Sequence, residues 1–553
     1  MAEKKETGGR PNRLIPLIEE SIKKHWELTV MSDMGGINYK YSELAIMIAK
    51  MHILFEHAGL KPGDKVAILG KNSSNWMVAF LSCLTAGVVA VPILHEFKPD
   101  MAHHLINHSD SRLLFVDAAI WENLDESLMP KLEGVIYISE MGMPFSRSKR
   151  LTEARNNINE LFGKKYPYDF TPADIHYHAC DEDDTAIINY TSGSTGMSKG
   201  VMLSYRNIWS NIRFCLDYVP FFKAGDGIVN MLPLAHLYGM VIDTLHPIIR
   251  GCHCYFLTKL PSPKVILHAF AEVKPKLIIT VPLILEKIIR NKVFPMLEKP
   301  VMKLLLKVPF LDDHLLAKVK EGLVQAFGGN VQEIIVGGAP INYRIGFPVT
   351  VGYGMTECGP LVSYASAADS KPHTVGRIVD RMEARIDSPD PANVPGNIWV
   401  RGDNVMKGYY RNEEATREVM PKDDGWMNTG DLGLMADDGM ITICGRSKTM
   451  ILGPSGQNIY PEEIEARLNM MPYVGESLVV DDGGKLVALI HPDLDSARQQ
   501  GLEMADMDKV MDTNLKDLNK ELPAYSKVSR YKIHPEEFEK TPKRSIKRFL
   551  YQP

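Results

Sequence analysis

The stretch Tyr190-Thr191-Ser192-Gly193-Ser194-Thr195-Gly196-Met197-Ser198-Lys199-Gly200 places several hydroxyls and one ammonium around two glycines. Hydroxyl side chains (Thr191, Ser192, Ser194, Thr195), backbone amides left open by Gly193 and Gly196, and the Lys199 cation are the donors a polyphosphate needs. β-prone residues flank the loop at 186–190 and 200–203, so it reads as a hairpin that cradles phosphate. A Walker A loop would need glycine before the lysine, Ser or Thr after it, and a helix beyond; Ser198 and Gly200 occupy those places. Gly196-Met197-Ser198-Lys199-Gly200 matches the spacing of a hydrolase elbow, but that device sits at a strand-to-helix turn, and here a Val-Met-Leu run follows. The remaining alternative is a purely structural Ser/Gly hairpin.

Further along, Gly337, Gly338, Ala339 and Pro340 follow a strand at 333–336, where small residues allow close backbone approach, and Tyr353 offers an aromatic face for a flat base. Asp431 stands in Thr429-Gly430-Asp431, where turn formation is its structural reading. Cys252-His253-Cys254 and the His104/His108 pair have suggestive metal spacing, but the first lies in a strand and the second on a helix without further ligands. Neither is read as a zinc site.

These residues need a frame. Strands at 66–69, 88–93 and 113–116 alternate with helices at 76–84 and 99–108, which makes a βαβαβ unit. The pattern recurs with strands at 227–232, 252–257 and 277–280, a helix beyond His236 and another at 265–273. Two similarly wound α/β subdomains follow, with right-handed crossovers. After Gly376 the texture turns to short strands, 384–387 and 397–401, suggesting a small β-barrel-like subdomain. From Gly445 a strand, a Gly/Pro turn, a helix starting at Pro461, strands near Ser477 and Leu486 and a basic tail form a compact α+β unit. The fold class is therefore α/β and α+β, with a large N-terminal domain (1–447) and a smaller C-terminal one (448–553) divided near Lys448.

At 553 residues the chain exceeds one hydrophobic core, and 45% hydrophobic and 24% charged residues are ordinary for a globular protein. A net charge of -5 gives no electrostatic reason to expect nucleic acid. The seven cysteines are scattered and odd in number, which indicates a reducing cytoplasm. No apolar run follows the charged N-terminus, so no secretory signal is expected. The uncharged stretch 72–94 is broken by Gly87 and Pro92 and reads as helix, turn and strand rather than a membrane span. No basic amphipathic helix marks a membrane surface, so any such contact is peripheral at most.

The phosphate loop, continued by Gly200-Val201-Met202-Leu203-Ser204-Tyr205-Arg206-Asn207, resembles the signature of the adenylate-forming superfamily of acyl-CoA synthetases, adenylation domains and luciferases. Other blocks occur in that family's order: Leu232-Pro233-Leu234-Ala235-His236, Gly337-Gly338-Ala339-Pro340, Gly352-Tyr353-Gly354-Met355-Thr356-Glu357, Thr429-Gly430-Asp431, Gly445-Arg446, Ser455-Gly456-Gln457-Asn458 and Pro461-Glu462-Glu463-Ile464-Glu465. Cys358-Gly359-Pro360-Leu361-Val362-Ser363, Val405-Met406-Lys407-Gly408-Tyr409-Tyr410 and Glu414-Ala415-Thr416 look most like bacterial long-chain fatty acyl-CoA synthetases.

This resemblance implies ATP-dependent activation of a carboxylic acid, a medium- or long-chain fatty acid above all, as acyl-AMP, and then transfer to coenzyme A. It implies ATP, Mg²⁺ and CoA as cofactors and leaves room for a homodimer. Residues 191–199 would hold the β- and γ-phosphates, Thr356 and Glu357 would serve the α-phosphate and Mg²⁺, and Gly354 and Met355 would line the nucleotide site. Residues 337–340 and Tyr353 would hold adenine, with Asp431 and Arg446 on the ribose. His236 would lie near the acyl carboxylate, Lys448 would be the hinge about which a mobile C-terminal domain swings, and residues 281–285 are acyl-pocket candidates. As catalytic residues the resemblance points to Thr191, Lys199, His236, Glu357 and a lysine of the tail.

The tail departs from the family pattern Lys-Thr-x-x-Gly-Lys-Ile-x-Arg. Here it runs Lys540-Thr541-Pro542-Lys543-Arg544-Ser545-Ile546-Lys547-Arg548, with Ser545 where the α-phosphate lysine belongs. Lys543, Arg544 or Lys547 would have to replace it, Lys543 being favoured. The segment 340–353 is shorter than in relatives, and Ser198, Tyr205 and Asn397 stand for the usual Pro, His and Glu. Two alternatives stay open: an acyl-AMP ligase serving a carrier protein, and a nucleotide- or acyl-binding protein with impaired chemistry.

Overall fold

The structure is a computed structural model that describes residues 13–191, 198–219, 221–259, 262–281, 321–337, 349–452, 458–498, 500–541 and 546–551. The chain divides into two compact units, residues 1–383 with 401–425, and residues 384–400 with 426–553.

The first unit is built around an eight-stranded sheet. Its order is Gly408–Tyr409, Lys199–Ser204, Thr185–Thr191, Val89–Ile93, Lys65–Leu69, Ser111–Val116, Gly134–Tyr137 and Phe145–Ser146. The inner strands run parallel, and Lys65–Leu69 is buried along Val66, Ala67, Ile68 and Leu69. Near-continuous apolar runs of this kind are what a sheet covered on both faces requires. Every residue of helix Ser74–Thr85 is buried, and Ser73 caps it by accepting from the Trp76 amide at 3.2 Å. The stretch 72–94 is thus a central helix, a turn at Gly87 (φ +73) and a strand. Among the described residues no helix is long and apolar enough to cross a membrane.

A four-stranded sheet runs in the order Gly227–Asn230, His253–Phe256, Thr29–Asp33, Asn38–Lys40, and a five-stranded sheet in the order Leu277–Thr280, Glu333–Gly337, Val349–Gly354, Leu361–Tyr364, Arg377–Ile378. The second βαβαβ unit read from the sequence needs correcting here. Its first two strands pair in parallel, but Leu277–Thr280 leaves them and pairs with Glu333–Gly337. The place beside His253–Phe256 goes to Thr29–Asp33 instead. Proline at the first helical turn sets the start of helices Pro99–His108 and Pro263–Val273, the latter also capped by Ser262.

The second unit begins well before Lys448. It holds most of the four-stranded sheet Met382–Asp387, Gly396–Gly402, Met427–Met435, Ile441–Arg446, the ends 382–383 and 401–402 counting with the first unit, and all of the three-stranded sheet Val474–Asp482, Lys485–Pro492, Val528–Ile533. Helices Pro461–Asn469 and Met507–Glu521 pack on the latter through Ile464, Leu468, Met511 and Leu518.

Candidate active site

The hairpin expected around the phosphate loop is present. Thr185–Thr191 and Lys199–Ser204 pair antiparallel, with Thr191 opposite Lys199, and the Thr191 hydroxyl donates to the Lys199 carbonyl at 3.4 Å. Ser192, Gly193, Ser194, Thr195 and Gly196 lie outside the described residues. The next strand across, Gly408–Tyr409, pairs Tyr409 with Val201. Lys199 and Val201 share a face of their strand, so Tyr409 comes diagonally against Lys199. The Lys199 ammonium lies 4.9 Å from the Tyr409 ring centroid and 3.8 Å from Glu418 Oε2.

Tyr409 also carries the contact to the carboxylate. Its hydroxyl donates to Glu357 Oε1 at 3.0 Å, while the Met406 amide donates to the Glu357 carbonyl at 2.8 Å. Burial raises the Tyr409 phenol well above its ordinary range, and the Glu357 charge adds to the shift, so the hydroxyl keeps its proton and remains a donor. Gly408 has φ +135, and a Cβ there would lie 2.9 Å from Thr416 Cγ2, which fixes the approach of this strand. Lys199, Tyr409 and Glu357 therefore form one chain of contacts, cation to ring to carboxylate.

Glu357 stands in the short turn Thr356–Cys358, just beyond strand Val349–Gly354. Tyr353 and Thr356 are buried, and Gly354 is obligatory because a Cβ would meet the Pro360 carbonyl oxygen at 2.3 Å. Met355 is held by its amide donating to that same carbonyl at 2.8 Å. Gly337 ends the neighbouring parallel strand in register with Gly352. Gly338, Ala339 and Pro340 lie outside the described residues.

His236 is set by two asparagines that sequence reading passed over. Asn72 donates to the Leu232 carbonyl at 2.6 Å and accepts from the Leu234 amide at 2.8 Å; Asn189, in the hairpin, donates to the Ala235 carbonyl at 2.8 Å. The Tyr238 amide donates to His236 Nδ1 at 3.3 Å, which leaves the neutral ring's proton on Nε2. The helix expected beyond His236 opens as a π-helix, Tyr238–Leu245. From it the Tyr238 hydroxyl donates to the Ile335 carbonyl at 3.2 Å, and its ring lies 3.4 Å from where a Cβ of Gly337 would sit. Wider turns of this type recur at functional sites. Two more asparagines on helix Tyr205–Tyr218 brace the Glu357 turn: Asn211 donates to the Cys358 carbonyl at 3.2 Å, and Asn207 to the Val405 carbonyl at 2.9 Å.

In the second unit Asp431 and Arg446 face each other across adjacent strands. They are register partners, with Arg446 Nε 3.3 Å from Asp431 Oδ1; the aspartate is buried and the arginine exposed. The Asp431 amide donates to Thr429 Oγ1 at 3.1 Å, and that hydroxyl donates to the Ile398 carbonyl at 2.9 Å. Lys448 is exposed in the turn that follows Arg446. Lys543 and Arg544 lie outside the described residues, as do residues 282–285 of the acyl-pocket candidates.

A cavity of about 680 Å³ elsewhere in the first unit is lined by Leu14, Lys23, Tyr177, Cys180, Tyr205 and Trp209 among others, and by none of the candidate site residues. Size alone does not mark the chemistry here. Among the described residues no cluster of three or more His, Cys, Asp or Glu could hold a metal. One carboxylate, Glu357, suits Mg²⁺, which takes most of its ligands from phosphate and water.

A family model described as AMP-binding enzyme matches residues 18–410, and one described as AMP-binding enzyme C-terminal domain matches residues 448–551. The chain belongs to the AMP-binding enzyme family, and is an acid–thiol ligase of the AMP-forming kind. Among curated relatives it is 27% identical over 548 residues to the long-chain-fatty-acid–CoA ligase FadD15 of Mycobacterium bovis, covering 89% of this chain and 86% of that one. It is 27% identical over 495 residues to a long-chain-fatty-acid–CoA ligase of Escherichia coli, covering 85% and 83%. The fold is shared with ATP-bound MatB from Rhodopseudomonas palustris (TM-score 0.75, 23% identity, 98% of both chains). It is shared also with the anthranilate CoA ligase AuaEII bound to anthranoyl-AMP (TM-score 0.78, 18% identity, 97% and 96%). The expected membership, close to bacterial fatty acyl-CoA ligases, holds.

Proposed function

We propose that the protein activates a medium- or long-chain fatty acid as its acyl-AMP and passes the acyl group to coenzyme A. The observation that carries this reading is the contact chain Lys199–Tyr409–Glu357, which sets a cation and a carboxylate on one buried phenol at the mouth of the phosphate hairpin. The relatives named for long-chain fatty acids support the choice of acid.

In the first step a carboxylate oxygen attacks the α-phosphorus of ATP and pyrophosphate leaves. Two anions must meet, so the site has to neutralise charge before and during the displacement. Thr191, Lys199 and the loop 192–196 take the β- and γ-phosphates; Thr356 takes the α-phosphate, and Gly354 and Met355 line the nucleotide site. Glu357 would hold Mg²⁺, which would supply positive charge to balance the leaving pyrophosphate. His236, its Nδ1 accepting from the Tyr238 amide, lies beside the acyl carboxylate. Tyr353 and residues 337–340 take the adenine, while Asp431 accepts from the ribose hydroxyls and Arg446 steadies it.

Of the tail cations, Lys540, Lys547 and Arg548 are already held in ion pairs with Glu476, Glu539 and Glu465. That leaves Lys543 or Arg544 to replace the lysine expected at Ser545, and Lys543 is the one we favour. In the second step the CoA sulfur, having given its proton to solvent, attacks the acyl carbon and AMP leaves. A hinge at Lys448, inside the second compact unit and at the start of the segment matched by the C-terminal family model, exchanges one active arrangement for the other.

The test is release of AMP and pyrophosphate with a fatty acid, with thioester formation dependent on CoA. Adenylation without any CoA dependence would reassign the protein as an acyl-AMP ligase for a carrier protein, and ATP binding without pyrophosphate release would mark impaired chemistry.

A further inference from the structure

Among the described residues, the cations Lys540, Lys547 and Arg548 along the end of the second unit are each pinned by carboxylates. Lys540 pairs with Glu476 at 2.5 Å and Glu537 at 3.2 Å, Lys547 pairs with Glu539 at 2.8 Å, and a bridge between Lys540 and Ile546 closes the two arms. Arg548 reaches deepest. Its guanidinium donates to the Glu465 carboxylate, stands 3.6 Å from Glu462 Oε1, and approaches the Val479 carbonyl at 3.4 Å.

Both acids lie on one face of helix Pro461–Asn469, three residues apart. Glu465 is buried, its other oxygen accepting from the Val479 amide at 2.6 Å. Burial lifts its carboxyl to about 7, against the pull of the Arg548 charge. Glu462 works in the opposite direction along the chain. It accepts from the Thr449 hydroxyl at 2.6 Å, one residue past Lys448, and its Oε2 would lie 3.2 Å from a Cβ at Gly445. One helix face therefore holds the segment 445–449 through Glu462 and the tail through Glu465, with Arg548 on both.

We propose that Arg548, seated on Glu465 and Glu462, is a positioning residue for adenylation: it sets the tail in register with the segment around Lys448 without touching substrate. The inference rests on the ligase reading above. An arginine used only for folding would be needed equally by both half-reactions, whereas a positioning arginine is needed where the tail acts. Losing it also leaves a buried carboxylate without its cation.

The experiment compares the parent, Arg548→Met, Arg548→Lys and Glu465→Gln as full-length proteins, each with its melting midpoint. One assay follows ATP–pyrophosphate exchange with decanoate and palmitate, and the other follows thiolysis by CoA of chemically made decanoyl-adenylate. Arg548→Met should slow exchange about ten-fold or more at saturating ATP while thiolysis stays within about two-fold, and Arg548→Lys should recover part of the loss. Glu465→Gln, which keeps the side-chain shape, should show the same selectivity and stands in if Arg548→Met fails to fold. Unchanged exchange, or equal losses in both half-reactions, overturns the inference and leaves the ligase reading intact. A parent that shows no exchange with either acid, and does not thiolyse the adenylate, removes both.

Discussion

Replacing Tyr409 with phenylalanine removes one oxygen and keeps the ring. That oxygen donates to Glu357 Oε1 at 3.0 Å, and the ring carries Lys199 at 4.9 Å, so the substitution separates two contributions made by one side chain. A hydrogen bond to a charged acceptor contributes roughly 1.5–3 kcal/mol. Glu357 is only half-buried, so water can replace part of what is lost, and the lower end, about 1.5 kcal/mol or roughly ten-fold in adenylation, is expected. Tyr409→Leu removes the ring as well. With about 0.5–2 kcal/mol more for the cation–ring contact, its loss should reach roughly 30- to 300-fold. The assay is acid-dependent ATP–pyrophosphate exchange across a Mg²⁺ titration, with circular dichroism melting to confirm folding. Tyr409→Phe should raise the Mg²⁺ concentration at half-maximal exchange and leave the KM for the acid unchanged. A folded Tyr409→Phe protein with the parent's rate and Mg²⁺ dependence would refute the assignment of Glu357 and of the contact chain.

Other expectations follow from particular contacts. Asp431→Asn, at a buried carboxylate paired with Arg446 at 3.3 Å, should raise the KM for ATP about ten-fold or more with little change in maximal rate, measured by exchange kinetics. Gly376→Ala should cost at least about 3 kcal/mol in urea unfolding, because Gly376 has φ +88 and a Cβ would lie 2.1 Å from the Tyr364 carbonyl carbon. Burial pushes the imidazoles of His52 and His253 down to about 4. Between that value and about 6.5 the unfolded chain binds protons that the folded one does not, so stability rises with pH through this window. As pH falls from 7 towards 4, His52 should withdraw up to about 3 kcal/mol and the more exposed His253 clearly less, because solvent screens it, and His52→Gln should flatten the pH dependence of the urea midpoint.

The phosphate hairpin and the first βαβαβ unit could be read from the chain because their signals are local. Runs of Val, Ile and Leu bounded by glycine mark strands such as Lys65–Leu69, and proline at the first turn marks helices such as Pro99–His108. Sheet membership is another matter. Leu277–Thr280 has the same apolar pattern as its expected partners, yet it pairs with Glu333–Gly337, since a strand's neighbour is decided by distant residues. Thr29–Asp33, short and partly polar, gave no strong local sign and still fills the vacated place. Tyr409 could be quoted within a motif, but its bearing on Lys199 and Glu357 depends on pairing across some two hundred residues. Asn72, Asn189, Asn207 and Asn211 act by donating to backbone carbonyls far along the chain, a role that asparagine's composition and spacing do not announce.

The central claim is that the hydroxyl- and glycine-rich turn before Lys199 grips ATP so that an acid can attack it. Radiolabelled pyrophosphate exchange into ATP, run with an aliphatic and aromatic acid panel on the parent and on Lys199→Met, tests this most directly. Exchange that needs both Mg²⁺ and a fatty acid, and that falls about a hundred-fold or more in Lys199→Met, is the expected result. Absence of exchange with every acid, or a Lys199→Met protein as active as the parent, would contradict it.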